Sequence, residues 1–335
     1  MNPFVVWGGF LLTSGVVVYS GTKLSRYGDM IAEKTGLGRT WIGLILMASV
    51  TSLPELMTGL SAVTLADLPN IAIGGVLGSC VFNLLILTMI DALYRHVPLS
   101  AKTHHGHILS GGFGMLMIGV VLMGLLTGGM VSPFGWIGIY SLIIIVGYLL
   151  SMRLVYQYEK RHISTYLRET AQELRYEKTP LRYAVKRYVV HALVVIVAAV
   201  LLPWIGEAIS EQTGLGESFV GNIFIAIITS LPEIVVSIGA VRIDAVDLAV
   251  GNLFGSNIFN IFILAVDDIF YIKGPILAHA EPNQVIAALS AMLMTTVAII
   301  GMTYRAEKKK LLLAWDAIGI LVIYIVNMML LYMMR

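Results

Sequence analysis

The chain has 335 residues, of which 58% are hydrophobic and 13% are charged, and its formal net charge is +2. A soluble domain carries about 25% charged residues, so this composition excludes a water-soluble fold. The small net charge disfavours nucleic-acid binding. The single cysteine, Cys80, excludes an intramolecular disulfide framework.

Stretches of mostly apolar residues recur along the whole chain, each close to the length of about 20 residues that crosses a bilayer as a helix. A polar connection at 155–186 separates the fifth stretch from the sixth. We therefore predict an all-α polytopic membrane protein with ten transmembrane helices, five in 1–154 and five in 187–335. The predicted spans are 3–22, 40–66, 70–94, 107–127, 134–154, 187–209, 218–242, 246–271, 283–303 and 312–333.

The distribution of basic residues agrees with this count and orients the chain. With the amino terminus outside, 20 of the 22 Lys and Arg residues fall on the cytoplasmic side, and only Lys273 and Arg335 do not. A bias of this strength follows the positive-inside rule. The pattern predicts a multi-pass plasma-membrane protein with an extracytoplasmic amino terminus. The 155–186 connection is then cytoplasmic, where its basic residues favour contact with anionic lipid headgroups.

Two parts of the chain repeat each other. Residues 51–55 and 229–233 both read TSLPE, and GSCVFN at 78–83 matches GSNIFN at 255–260. Five predicted spans separate the two copies, so the copies have opposite orientations across the membrane. Inverted five-helix repeats are typical of secondary transporters, whose site lies at the repeat interface near the midplane.

The repeated motifs place acidic side chains deep in the membrane. Glu55 and Glu233 lie in the middle of apolar spans, where a charged side chain costs roughly 3 kcal/mol. Each follows a proline, which cannot donate a backbone hydrogen bond, so a carbonyl one turn earlier loses its partner. Broken helices are tolerated at this depth where they are buried in protein or line a wet cavity.

The spans that follow the TSLPE motifs carry a second repeated polar pattern. Ser79 and Asn83 are four residues apart and share a helical face, as do Ser256 and Asn260. With the glutamates and the freed carbonyls they form an all-oxygen set that suits hard cations such as Ca²⁺ or Na⁺. The alternative is that these groups only join helices by hydrogen bonds.

In these motifs the sequence resembles the cation/Ca²⁺ exchanger superfamily, most closely the prokaryotic Na⁺/Ca²⁺ exchangers. The resemblance implies alternating access, in which helices 2, 3, 7 and 8 enclose the ions while helices 1 and 6 slide as a gate. The residues that it implies as ligands are Glu55, Glu233, Asn83, Asn260 and the carbonyls of Thr51 and Thr229 for Ca²⁺, and Ser52, Ser79, Ser230, Ser256 and the carbonyls of Ala48 and Ala226 for flanking Na⁺.

Because the sequence departs from the family pattern, it does not decide whether Na⁺ or H⁺ is the coupling ion. Val50 and Ile228 stand where the family usually has Gly, and Asn83 and Asn260 are both amides where many exchangers carry an Asp. An antiporter of Ca²⁺ or another divalent cation against H⁺ is therefore the alternative to Na⁺/Ca²⁺ exchange. A passive cation channel is an alternative from another class.

The sequence favours neither an ATP-driven pump nor an enzyme. A phosphate-binding loop of the Walker type and a Ser/His/Asp or HExxH arrangement are both missing from it. We therefore expect no cofactor, inorganic cations and the lipid bilayer as partners, and a monomeric functional unit.

Polar residues at the span ends receive simpler interpretations. Acidic residues there are expected to be solvated or paired with a base rather than to form an ion vestibule. A histidine cluster on a cytoplasmic turn is expected to be solvated rather than to bind a transition metal. The residues concerned are Asp91, Asp267, Asp268 and Asp316, and His104, His105 and His107.

Overall fold

The computed structural model describes residues 3–94, 97–128, 135–169, 176, 179–213, 228–309 and 311–334, with the backbone alone at 162–169, 203, 207, 210 and 211. Short helical turns lie at Leu99–Lys102 and Ile276–His279. The longer helices are α1 (Pro3–Thr35), α2 (Arg39–Ala66), α3 (Pro69–Leu93), α4 (Gly106–Thr127), α5 (Ile139–Glu169), α6 (Leu181–Thr213), α7 (Leu231–Arg242), α8 (Val246–Phe270), α9 (Asn283–Tyr304) and α10 (Trp315–Met333).

The predicted polytopic helical architecture is confirmed. Within the described ranges, 9 helices are long and apolar enough to cross a membrane, namely α1 to α6 and α8 to α10. The remaining predicted span, 218–242, lies partly outside the described residues, and α7 is its described end. Three helices extend well past the predicted bounds, because a helix can continue into water while hydropathy marks only its apolar part. α6 runs from Leu181 to Thr213, against a predicted span of 187–209. α1 ends at Thr35, and α5 runs through the first half of the 155–186 connection.

α2 is interrupted beside its glutamate. It contains π-helical turns at Gly43–Met47 and Ala62–Ala66, and its α-helical geometry breaks at Ser52, where φ is −93° and ψ is 8°. Pro54 has no N–H to donate to the carbonyl of Val50, which explains a break at this point. Ser230, before α7, has nearly the same conformation, with φ −85° and ψ 8°. The two predicted helix breaks are therefore present.

α8 is the central helix of the described bundle. It packs against α2, α3, α4, α5 and α7, and 83% of its span is buried, against 28% for α1. α2 and α8 run in the same direction, because Gly43 lies against Gly251 near their starts and Gly59 lies against Asp267 near their ends. We call the membrane face where both helices end the Asp67 face, and the opposite one the Arg39 face.

Asp91 and Asp268 have equivalent structural roles in the two repeats. Asp91 accepts hydrogen bonds from the backbone N–H groups of Leu99 (2.8 Å) and Ala314 (2.9 Å). Asp268 accepts from those of Ile276 (2.7 Å) and Gly138 (2.8 Å). Each carboxylate thus joins the turn that follows its own helix to the start of α10 or α5.

The predicted pairing of a span-end acid with a base is confirmed for Asp91, which lies 3.0 Å from Lys309. It is wrong for Asp268, which is fully buried and accepts from backbone groups and from the hydroxyls of Tyr140 (2.8 Å) and Ser141 (2.6 Å). Asp316 is also buried rather than solvated. Asp268 is covered by the turn that begins at Ile276 and by the start of α5, whereas Asp316 packs against Gly301 of α9.

Asp268→Ala is expected to destabilise the protein strongly. The substitution leaves the buried N–H groups of Ile276 and Gly138 without an acceptor, at roughly 1–3 kcal/mol for each stranded group. Thermal unfolding of the purified protein in detergent, followed by size-exclusion chromatography, measures the loss. Glu307→Ala removes an exposed carboxylate and serves as the control. Equal unfolding temperatures for the two variants would contradict the role assigned to Asp268.

Candidate ion-binding site

The two helix breaks bring Glu55 and Glu233 into one buried region. Their exposed fractions are 7% and 1%. The Ser52 hydroxyl donates to Glu233 Oε1 at 3.2 Å, so the break in α2 contacts the glutamate of the other repeat. The Ser79 hydroxyl donates to Glu55 Oε1 at 3.3 Å. Each carboxylate is therefore held through one oxygen by a serine of a motif predicted from the sequence.

Four carboxylate and amide oxygens of this region have no hydrogen-bond donor among the described residues. They are Glu55 Oε2, Glu233 Oε2, Asn83 Oδ1 and Asn260 Oδ1. Buried polar atoms are normally paired, and an unpaired carboxylate is costly to bury. These atoms are a carboxylate oxygen and an amide oxygen from each repeat. Their chemistry is that of a site for a hard cation.

A network of amides orients the Asn83 side chain. Asn83 Nδ2 donates to Asn257 Oδ1 at 3.0 Å, and Asn257 Nδ2 donates to the Cys80 carbonyl at 3.2 Å. The Cys80 thiol lies 3.8 Å from the Asn257 carbonyl, as a buried packing residue. Because the amide nitrogen of Asn83 is engaged, its oxygen is left to accept from elsewhere or to bind a cation.

Thr51 joins the break in α2 to α8. Its hydroxyl lies 3.3 Å from each of Asn252 Oδ1 and Ser256 Oγ, and 3.3 Å from the Ala48 carbonyl. Asn252 Nδ2 in turn donates to Ser237 on α7 at 3.2 Å. Hydroxyls, amides and a carbonyl thus form a connected polar network that begins at Thr51, one helical turn from Glu55 toward the Arg39 face.

The structure brings together most of the residues predicted from the two motifs. Thr229 and Ser230 are buried beside the second break, and the Ser230 hydroxyl has no hydrogen-bond partner among the described residues. Ala226 lies outside the described residues. The predicted residues that the contacts above connect, or whose buried oxygens they leave unpaired, are Glu55, Glu233, Asn83, Asn260, Ser52, Ser79, Thr51, Ser256 and Ala48.

Three residues of this network were not predicted from the sequence. Asn252 lies four residues before Ser256, so the same helical spacing that linked Ser256 to Asn260 could have found it. Asn257 stands at the motif position that Cys80 occupies in the first copy, and the repeat alone assigns it no role. Ser237 carries no signal in the sequence, since a serine in an apolar span commonly bonds its own helix.

The histidine cluster near the Arg39 face is more buried than predicted. His107 is fully buried, with Nε2 3.0 Å from Asp247 Oδ1. His104 Nδ1 lies 3.1 Å from Glu159 Oε1. The expectation of a solvated turn is wrong for His107, because α5 and α8 supply carboxylates that are distant in sequence. The hydrogen bond to Glu159 raises the pKa of His104 above its ordinary value.

The His104–Glu159 contact is expected to stabilise the protein at low pH. Because the pKa of His104 is raised in the folded protein, its contribution is fully present below the ordinary value of about 6.5 and is lost as the pH rises through the raised value. Unfolding temperatures of the wild-type protein and His104→Gln, measured across pH, should therefore differ most under acidic conditions. A difference that grows toward alkaline pH would contradict this assignment.

The fold and the site define a class of protein. Two broken helices in inverted repeats, with buried and unpaired carboxylate oxygens beside the breaks, are typical of a membrane transporter. A model of the sodium/calcium exchanger protein family matches residues 5–157 and 188–333. The chain therefore belongs to the sodium/calcium exchanger protein family, as the sequence motifs predict. The family and fold are those of transporters and not of enzymes.

Individual relatives agree with this assignment. The inner membrane protein YrbG of Escherichia coli K12 is 32% identical over 253 residues, covering 74% of each chain. The sodium/calcium exchanger MaX1 of Methanosarcina acetivorans is 30% identical over 124 residues, which cover 37% of this chain and 33% of that protein. A solved structure of the sodium-calcium exchanger NCX_Mj shares the fold, with a TM-score of 0.74 at 21% identity over 97% of this chain and 98% of that one.

Proposed function

We propose that this protein is a secondary antiporter that exchanges Ca²⁺ for Na⁺ across the plasma membrane by alternating access. The observation that carries the proposal is the set of four buried oxygens without donors, on Glu55, Glu233, Asn83 and Asn260. Two ionised carboxylates balance the charge of one Ca²⁺ or of two Na⁺. The same pocket can therefore hold either ion in turn, which is the basis of exchange at a shared site.

The ligands divide into a central set and a flanking set. Ca²⁺ takes 6–8 oxygens, which exceeds what four side chains supply, so the carbonyls of Thr51 and Thr229 and water complete the central site. The serine hydroxyls and small-residue carbonyls around it suit Na⁺, because a singly charged cation can bind to neutral oxygens without a carboxylate of its own. The proposed flanking ligands are Ser52, Ser79, Ser230, Ser256 and the carbonyls of Ala48 and Ala226.

The proposed transport cycle moves α1 and α6 against the rest of the bundle. α1 packs along α6 and α7, and 28% of its apolar window is buried within the described bundle. The proposed movement exchanges the contacts between α1 and α7, such as the hydrogen bond from the Ser25 hydroxyl to the Val236 carbonyl (2.7 Å), for others. α8 is buried on nearly all sides and belongs to the part that stays fixed. The Arg39 face is cytoplasmic in this proposal, in agreement with the distribution of Lys and Arg.

Flux measurements in proteoliposomes test the function. Ca²⁺ uptake should follow an imposed Na⁺ gradient and should stop when the opposite side holds no exchangeable cation. Continued uptake without a counter-ion would indicate a passive channel instead. Na⁺, K⁺ and H⁺ gradients compared in the same vesicle preparation identify the coupling ion.

An H⁺/Ca²⁺ antiporter is the second candidate, and the amides favour it. Asn83 and Asn260 leave the central layer with two carboxylates, and protons can bind to both. Ca²⁺ uptake that follows a pH gradient and ignores a Na⁺ gradient would establish this function and exclude the first.

A further inference from the structure

We propose that Asp267 is a proton-binding site on the ion path between the central site and the Asp67 face, and that it releases its proton when a divalent cation enters that path. This inference rests on the proposed function, since it concerns how Ca²⁺ reaches the site. It begins from a carboxylate to which the two sequence motifs assign no role.

Asp267 is isolated in an unusual way. Its side chain is fully buried, and neither carboxylate oxygen has a hydrogen-bond partner among the described residues. Its neighbour Asp268, by contrast, accepts hydrogen bonds at both oxygens. A buried carboxylate without a partner is far more costly when ionised than when protonated. These surroundings therefore favour the protonated, neutral form of Asp267.

The position of Asp267 places it on the ligand stripe of α8. It lies seven residues after Asn260 and eleven after Ser256, and both spacings return to the same helical face. At 1.5 Å per residue, Asp267 is about 10 Å beyond Asn260 along the helix, toward the Asp67 face. Its carboxylate lies directly against Gly59, one turn after Glu55 on α2. In the proposed path, an ion that moves between the central site and this face passes this point of contact between α2 and α8.

The fold does not require an acid at this position. By the repeat offset, the counterpart of Asp267 in the first repeat is Ile90, which is also fully buried. An isoleucine therefore satisfies the packing of the equivalent helix end. The carboxyl group of Asp267 is an addition specific to the second repeat.

The ligand of this carboxyl group is a proton rather than Na⁺. A sodium ion needs several oxygens, whereas the described surroundings offer no second polar atom that bonds to Asp267. The polar side chains near this end of α8 bond to other groups: Asp67 pairs with Lys273 at 2.5 Å, and the Tyr140 hydroxyl donates to Asp268. The titratable groups on the elements packed around this part of α8 are Glu55 of α2, Asp67 just after α2, Cys80 of α3, Tyr140 and Tyr148 of α5, Glu233 of α7, Asp268 of α8, Tyr271 and Lys273 just after α8, and His279 of the Ile276–His279 turn.

An arriving divalent cation shifts Asp267 from its protonated form toward its ionised form. Opening of the path toward the Asp67 face admits water to Asp267, and the positive charge of an arriving Ca²⁺ favours the ionised carboxylate. Ca²⁺ then displaces the proton into the water of that face. Linkage requires the reverse effect as well, so a lower pH at the Asp67 face weakens the binding of Ca²⁺ from that side.

Infrared difference spectroscopy of the full-length protein in lipid tests this inference with Ca²⁺ as the probe. The wild-type protein should show the C=O stretching band of a protonated carboxyl that is absent from Asp267→Asn, and added Ca²⁺ should remove that band. Asp316→Asn is the matched control, because Asp316 is also buried, packs against a glycine and has an unpartnered oxygen, but lies on α10, away from the α8 stripe.

Transport supplies a second readout. In proteoliposomes, acidification at the Asp67 face should raise the apparent KM for Ca²⁺ in the wild-type protein and in Asp316→Asn, and this pH dependence should be reduced in Asp267→Asn and in Asp267→Ile. The inference is overturned if no protonated band belongs to Asp267, if Ca²⁺ leaves the band unchanged, or if the variants keep the wild-type pH dependence. Failure of the proposed function is a different result, namely the absence of Ca²⁺ flux in the wild-type protein.

Discussion

Glu55→Gln and Glu233→Gln are each expected to abolish Ca²⁺ transport while leaving the protein folded. Glutamine keeps the size of the side chain and can still accept from Ser79 or Ser52. It removes the negative charge, so one carboxylate remains to balance a doubly charged ion. The desolvated cation then loses its main electrostatic compensation at a site where water cannot replace it. Flux should fall to the level of empty liposomes.

The measurement needs a control for general effects of losing a carboxylate. Glu281→Gln makes the same change on an exposed residue at the Asp67 face and should retain wild-type Ca²⁺ uptake. The glutamate variants should unfold at or above the wild-type temperature, because a neutral amide is easier to bury than an unpaired carboxylate. Wild-type flux in both variants would show that Ca²⁺ binds elsewhere.

The sequence predicts the features that depend on local chemistry. Apolar length locates the spans, since a helix needs about 20 such residues to cross a bilayer. The missing N–H of a proline locates the breaks, so Ser52 and Ser230 adopt nearly equal conformations. The inverted orientation of the two motifs predicts that Glu55 and Glu233 meet at the repeat interface, and both are buried in one region of the structure.

Features that depend on partners distant in sequence could not be predicted. Asp267 and Asp268 are adjacent acidic residues that the sequence does not distinguish, but the helix rotates by about 100° per residue, so the two side chains face different neighbours. Asp268 meets Gly138 and Tyr140, some 130 positions earlier, whereas Asp267 meets the bare backbone of Gly59. No pattern within α8 distinguishes the two environments.

The two GS motifs predict close helix contacts, and the structure describes one of them, between α2 and α8. The glycines of the two GS motifs both suggest close helix packing. For Gly255 the structure supplies the partner, because an added Cβ would meet the Leu44 backbone and the Ala48 side chain. For Gly78 the repeat offset places the equivalent partner in 214–227, outside the described residues. The same motif therefore yields a tested contact in one copy and a prediction in the other.

Gly255→Ala is expected to lower both stability and transport. The methyl group has no space against the backbone of α2, and a backbone cannot move aside as a flexible side chain can. Overpacking of this kind costs roughly 1–3 kcal/mol, and it pushes α2 away from α8 at the level of Ala48 and Thr51. The ligands on α2 then shift relative to Ser256 and Asn260, so Ca²⁺ flux should fall further than the loss of folded protein explains.

Gly112→Ala is the matched control for Gly255→Ala. Gly112 is exposed on α4, and an added Cβ there meets no described atom within 4 Å. Alanine favours a helix over glycine by up to about 1 kcal/mol, so this variant should be at least as stable as the wild-type protein. Unfolding temperature and Ca²⁺ flux per folded molecule, measured for both variants, separate the cost of the contact from the general effect of adding a methyl group. If Gly255→Ala behaves like Gly112→Ala, the close approach of α2 and α8 does not hold the site together.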